Sequence, residues 1–182
     1  MARPASAMRG QILDSALRLF ATSGFNGTSL HAIAVDAGCS KASLIYHFST
    51  KEAILTELLT PAGEGLAALD ARLAGLSEEQ QVEEAVTGYV DLALRYRREV
   101  KILFEDTPTM ICNPAMGDIT ALAERLIEAM SGGSGDARRI VSAHMVLGAV
   151  FVTCASEIDV PDELLRDELV EGALRTLGHR AG

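Results

Sequence analysis

Residues 28–52, TSLHAIAVDAGCSKASLIYHFSTKE, constrain the fold more than any other stretch, because they force two short helices around one tight break. The break is Ala37-Gly38-Cys39-Ser40. Gly38 adopts positive φ at little cost, as the residue after a helix end often must. Ser40 is a good N-cap for the helix that follows. Upstream, Ser29 suits the cap of a helix carrying Leu30, Ile33, Ala34 and Ala37 at helical spacing. Two helices joined by a Gly-containing turn are a helix-turn-helix.

The second of these helices has two unlike faces. At roughly 100° per residue, Leu44 and Phe48 point inward, while Ala42, Ser43 and Tyr46 point away. Lys41, Ile45 and His47 lie at the flanks. The outer face begins with small residues, which let a helix approach base edges closely, and becomes aromatic one turn later. Lys41 and Ser43 can donate to base edges, and Ile45 can touch a thymine methyl. Tyr46 and His47 can reach phosphate oxygens. Ser49-Thr50-Lys51-Glu52 reads as a capping box with Ser49 as cap and Glu52 three residues on. Lys51 in the first turn would suit an anion at that helix N-terminus. The same pattern also fits a plain helical hairpin with a solvated outer face, and helical geometry alone leaves both readings open.

The chain resembles the tetracycline-repressor (TetR) family of bacterial transcriptional regulators. The resemblance rests on residues 11–20, QILDSALRLF, followed by Gly24-Phe25, Thr28-Ser29-Leu30, Ile33-Ala34, residues 37–41, Tyr46-His47-Phe48 and Lys51-Glu52-Ala53. It covers roughly the first 55 residues. It implies that Lys41, Ala42, Ser43, Ile45, Tyr46, His47 and Lys51 fall on DNA-contact positions. It implies phosphate contacts for Thr28 and Ser29. Ala42 stands where the family often has Gly, and Ile45 where it often has a large ring, which leaves the base preference open.

The net charge of −9 looks unsuited to DNA, but it is unevenly spread. Residues 1–52 hold five cations (Arg3, Arg9, Arg18, Lys41, Lys51) against three anions (Asp14, Asp36, Glu52), a net +2, leaving −11 for the rest. An acidic body behind a mildly basic end orients approach to a polyanion. So small a positive charge predicts few ionic contacts per subunit, and hence a dimer.

The remainder reads as helical. Expected helices cover about 6–23, 52–59, 64–73, 78–98, 100–105, 118–130, 137–156 and 162–177. The first buries Ile12, Leu13, Ala16, Leu17 and Phe20. Pro61 is expected to end one helix and start another. Arg95, Arg97 and Arg98 read as cations complementing the C-terminus of their own helix. Residues 107–114 form an apolar loop with two prolines, a pattern that fits a pocket rim or a packed turn. The helix at 137–156 is apolar almost all round, so it is expected to be buried on every face, one flank against a partner subunit. Asp162 is read as the cap of the last helix. The resemblance implies that the last two helices form the homodimer interface, that two reading helices sit about one DNA turn or a multiple apart, and that the operator is an approximate palindrome.

The expected architecture is all-α, with an N-terminal three-helix DNA-binding domain at 1–52 and a helical effector-binding and dimerisation domain at 53–182. Tyr89, Tyr96, Phe104, Met110, Met116, His144, Met145 and Phe151 are candidate cavity residues, although each also fits ordinary core. His144, read as buried, would need a polar partner. Few basic side chains lie in this region, so any effector is expected to be small and largely apolar or neutral. The family implies release of DNA on effector binding. A protein-interaction module without an effector is the alternative.

No stretch reaches about 18 uninterrupted apolar residues, and the N-terminus lacks the apolar block of a signal peptide. The cysteines at 39, 112 and 154 show neither metal spacing nor a disulfide framework. A cytoplasmic protein with no metal or cofactor is expected. No enzyme signature stands out: Glu105 and Asp106, adjacent on a helix, do not face each other.

Overall fold

A computed structural model describes residues 5–105, 117–156 and 158–179. The expected loop at 107–114, and with it Met110, Cys112 and nearby Met116, lies outside the described residues. Within them the chain is all-helical. In chain order the helices are α1 Ala5–Ser23, α2 Leu30–Asp36, α3 Lys41–His47, α4 Lys51–Leu73, α5 Glu78–Arg95, α6 Arg97–Glu105, α7 Gly117–Met130, α8 Ala137–Ala155 and α9 Asp162–Thr176.

The helix ends follow from local chemistry. Ser29, Ser40 and Thr50 cap α2, α3 and α4, each accepting from the backbone N–H three residues on at 3.1 Å. The sequence pointed to Ser49 for α4, one residue early. Gly38 (φ 65°) closes α2. Its N–H donates to Val35 O at 3.1 Å and the Cys39 N–H to Ala34 O at 2.9 Å, which completes a Schellman turn. Asp162 is the first residue of α9, with Pro161 at the cap position, where it offers no side-chain acceptor.

Apolar burial makes two cores. The first joins Ile12, Ala16 and Phe20 of α1, Ile33 of α2, Leu44 of α3 and Ile54, Leu55 and Leu59 of α4. It also takes in Ile102 of α6, which is only 1% exposed. Leu13 and Leu17 are half-buried at its edge. The second core joins α4, α5, α7, α8 and α9 through residues such as Leu69, Val86, Met130, Val146 and Leu174.

One expectation fails here for a physical reason. Pro61 does not divide α4, which runs unbroken for 23 residues. Its first half is anchored in one core by Ile54 and Leu59 and its second in the other by Leu69 and Leu73, so packing outweighs the missing N–H. In α8 one stripe is buried, and the outward flank is the one expected to meet a partner subunit. Ala143, Val146, Val150 and Cys154 form its inner stripe, while Val141 (58% exposed) and Met145 (60%) face outward in the single chain. Among the described residues α8 is the helix long and apolar enough to cross a membrane, although only part of it is buried.

Candidate nucleic-acid interface and effector cavity

The α2–α3 pair is held on α1 by Ile33 and Leu44 from within and by an ion pair at the rim. Arg18 meets the Asp36 carboxylate at 2.6 Å and also donates to Ser15 Oγ at 3.2 Å. A hydrogen bond from Ser15, then Arg18, holds the Asp36 carboxyl below its usual range. Arg9 pairs with Glu57 of α4, and its guanidinium lies 4.6 Å from the Phe48 ring centre. Each of these cations is spent inside the domain.

Lys51 is spent the same way. Its ammonium donates to the carbonyl oxygens of Phe25 and Thr28, the latter at 2.9 Å, and sits 4.3 Å from the Phe25 ring centre. The sequence pointed to phosphate for this group. The structure gives it a second role, a staple on the α1–α2 loop. Thr28 also turns inward. It is 4% exposed, and its hydroxyl donates to Gly24 O (2.8 Å) and Leu19 O (3.2 Å). A buried hydroxyl already committed to two carbonyls shapes the loop and presents nothing to a phosphate.

The outer side of α3 is different. Lys41, Ala42, Ile45 and Tyr46 are exposed, Tyr46 at 83%, and Ser43 and His47 are half-buried. The His47 ring packs edge-on against Tyr46 at 5.3 Å. Among the described cations of this domain, Lys41 has no intramolecular partner. Ser29 is exposed at the start of α2, where its oxygen accepts from Ala32 N and its proton stays available. Reading the sequence missed two exposed neighbours. His31 stands in the first turn of α2, and Thr50 caps α4. Proximity of His31 to Ser29 in sequence was the available signal. Ser49 and Thr50 are equally good caps on paper, and only the backbone chooses.

A cavity of about 310 Å³ opens between α4, α5, α6, α7 and α8. Tyr89, Tyr96 and Phe151 line it, as expected. The Tyr89 hydroxyl donates to Leu147 O at 3.2 Å, and burial pushes its phenol well up. Among the described lining residues, the hydroxyls of Tyr89, Tyr96 and Thr120 are the side-chain polar groups, and no charged side chain takes part. Leu59, Leu103 and Ile119 line the cavity and also pack with the N-terminal core. Those three were not singled out in the sequence, where each falls within an expected helix.

Other candidates lie elsewhere. Phe104 packs on Phe151 at 6.1 Å but is 44% exposed and outside the lining. His144 is exposed, its Nδ1 2.8 Å from Ile140 O, so its partner is its own helix. Met145 borders an apolar groove between α8 and α9 on the outer surface. Periodicity placed both correctly on α8 but gave them the wrong face.

The family description "Bacterial regulatory proteins, tetR family" matches residues 12–58. The HTH-type transcriptional regulator RutR of Escherichia coli K12 is 29% identical over 153 residues, covering 82% of this chain and 64% of RutR. The chain thus spans just under two thirds of that relative's length. The negative transcriptional regulator IcaR of Staphylococcus aureus is 45% identical over 47 residues, 26% of this chain and 25% of IcaR. The solved structure of the ketosteroid transcriptional regulator KstR2 of Mycobacterium tuberculosis shares the fold at a TM-score of 0.77, with 16% identity, over 96% of this chain and 95% of KstR2.

Proposed function

We propose that the chain, whose residues 12–58 match the TetR family of bacterial regulatory proteins, is a member of that family and a homodimeric transcriptional repressor working in the cytoplasm. It holds an approximately palindromic operator and lets go when a small, largely apolar, uncharged effector enters the cavity. The observation that carries the DNA-binding part is the outer face of α3. There Tyr46 and Lys41 stand free beside small residues, while the domain's other described cations are tied inward. Lys41, Ala42, Ser43, Ile45, Tyr46 and His47 meet the groove and its backbone, with Ser29 on a flanking phosphate. Lys51 and Thr28 hold the loop that aims them.

The outward apolar side of α8, with its groove against α9, supports dimerisation through these two helices. Effector release is a population shift. A ligand in the cavity presses on Leu59 and Leu103, which also belong to the N-terminal core, and favours the arrangement whose reading helices no longer match the operator. A coupling of about 1–3 kcal/mol changes DNA affinity roughly 5–150-fold. A ligand with equal affinity for both arrangements would change nothing.

The test is selection of bound duplexes from a random-sequence pool, with Tyr46→Ala run beside the wild type. Recovery of related palindromes by the wild type only is the expected result. Recovery of no preferred sequence by a folded dimer at low salt would sink the repressor reading in favour of a protein-interaction module.

A further inference from the structure

Arg97 is the first residue of α6, yet its guanidinium does not serve that helix. Its Nε donates to Cys154 O at 3.1 Å and one terminal nitrogen to Ser156 O at 3.1 Å. The other meets the Asp162 carboxylate at 3.3 Å. Cys154 and Ser156 are at the C-terminal end of α8, and Asp162 opens α9. Carbonyls at a helix C-terminus lack intrahelical donors, and the dipole there favours a cation. The planar fork of Arg satisfies several acceptors in one fixed orientation, which an ammonium does not. One side chain therefore fixes the start of α6 against both helices that carry the outward apolar face.

Five residues on, the same helix has entered the other half of the molecule. Ile102 is 1% exposed within the N-terminal core. Between the two anchors Val100 lines the cavity, and Leu103 follows. The distance from Arg97 to Ile102 along the axis is about 7.5 Å. Because the far end of this rigid rod is buried in the N-terminal core, a change of angle at Arg97 turns that core with it.

We infer that Arg97 is a positioning residue, the pivot that sets the angle between the DNA-reading end and the dimer helices, and hence the half-site spacing the dimer accepts. The inference rests on the repressor reading above. Asp162 is mostly solvated, so that arm of the clamp contributes little to stability.

The experiment uses the full chain and labelled duplexes carrying the selected half-site twice, the separation stepping one base pair at a time. The wild type should bind tightest at one separation. Arg97→Gln should lose about 5- to 150-fold there, the range of ordinary couplings, and flatten the dependence on separation. Its affinity for a single half-site should be unchanged. Arg97→Lys, which keeps the charge without the fork, should fall between, and it is read by the same profile should Arg97→Gln fail to fold. A second readout needs no DNA. Spin labels at positions 42 and 138, with the native cysteines replaced by alanine and labelled chains diluted in unlabelled ones, report the distance from α3 to α8. Loss of the pivot should broaden that distribution. A separation profile and a distance distribution both identical to wild type would overturn the pivot. Absence of any DNA binding by the wild type would instead overturn the repressor reading, and the label distances alone would then decide the role of Arg97.

Discussion

Lys51 shows how a single residue can be located from sequence for one role and be found holding a second. Its place in the first turn of a helix beside a suspected DNA face suggested phosphate. Its ammonium in fact bridges the Phe25 and Thr28 carbonyls. The two roles predict different chemistry. Lys51→Met should lower stability by about 1–2 kcal/mol, since charged hydrogen bonds to two half-buried carbonyls are lost. It should weaken DNA binding at every salt concentration while leaving the slope of log affinity against log salt as it was. A direct phosphate contact would instead reduce that slope by about one. Parallel denaturation and salt titrations separate the two. Tyr46→Ala makes the opposite pair of predictions. At 83% exposure the ring supports little of the fold, so stability should change by less than about 0.5 kcal/mol, while operator affinity falls. An unchanged operator titration would remove Tyr46 from the interface. Asp36 gives a pH dependence. Its carboxyl is lowered by Ser15 and then Arg18, so its contribution is present above the ordinary carboxylate range and is lost as pH falls through the lowered folded value. Wild type and Asp36→Asn should therefore differ in stability at neutral pH and converge in acid, as followed by urea melts. A gap that persisted in acid would mean that the charge of Asp36 is not what ties α2 to α1.

At the scale of elements, α4 is the informative case. Pro61 looked like a boundary because local rules make it one, yet Lys51–Leu73 is one helix pinned in two cores. The helix is retained against a local cost, so Pro61→Ala should stabilise the chain by roughly 2 kcal/mol after allowing for the greater freedom of the unfolded state. Chemical denaturation checks this, and no gain would mean that α4 is already relaxed around the proline. The same contrast explains what could be read beforehand. The helix-turn-helix was legible because Ser29, Gly38 and Ser40 act on neighbours one to three residues away, and the core faces of α1 and α3 because their spacing is local. The cap of α4 slipped by one because Ser49 and Thr50 offer the same oxygen. The cavity was half legible. Tyr89, Tyr96 and Phe151 are conspicuous, whereas Leu59, Leu103 and Ile119 become a wall only when α4, α6 and α7 meet. Arg97 was read as serving its own helix because nothing local reveals that Tyr96 ends α5 and that α8 supplies the carbonyls.

For the whole molecule the decisive facts are the charge distribution and the unpartnered side of α8. A net +2 on residues 1–52, most of it tied up internally, gives one subunit little hold on DNA. Useful affinity then calls for two reading helices on one partner, and the proposed dimer would seat its second copy on the outward row of Val141 and Met145. Val141→Glu isolates this step. In the single chain the new carboxylate is solvated and costs the fold little, since Val141 is 58% exposed. In the dimer it would be buried without a partner, at a cost of several kcal/mol. The variant should keep its helical circular dichroism, run at half the wild-type mass in light scattering, and bind a palindromic duplex about 100- to 10,000-fold more weakly, the usual size of a lost bivalent gain. Its affinity for one half-site should not change, because α3 is untouched. If Val141→Glu stayed dimeric, the two-fold contact would lie on another face. If it became monomeric yet held the palindrome as tightly as before, the argument from charge would fail, and each subunit would carry more affinity than its exposed cations account for.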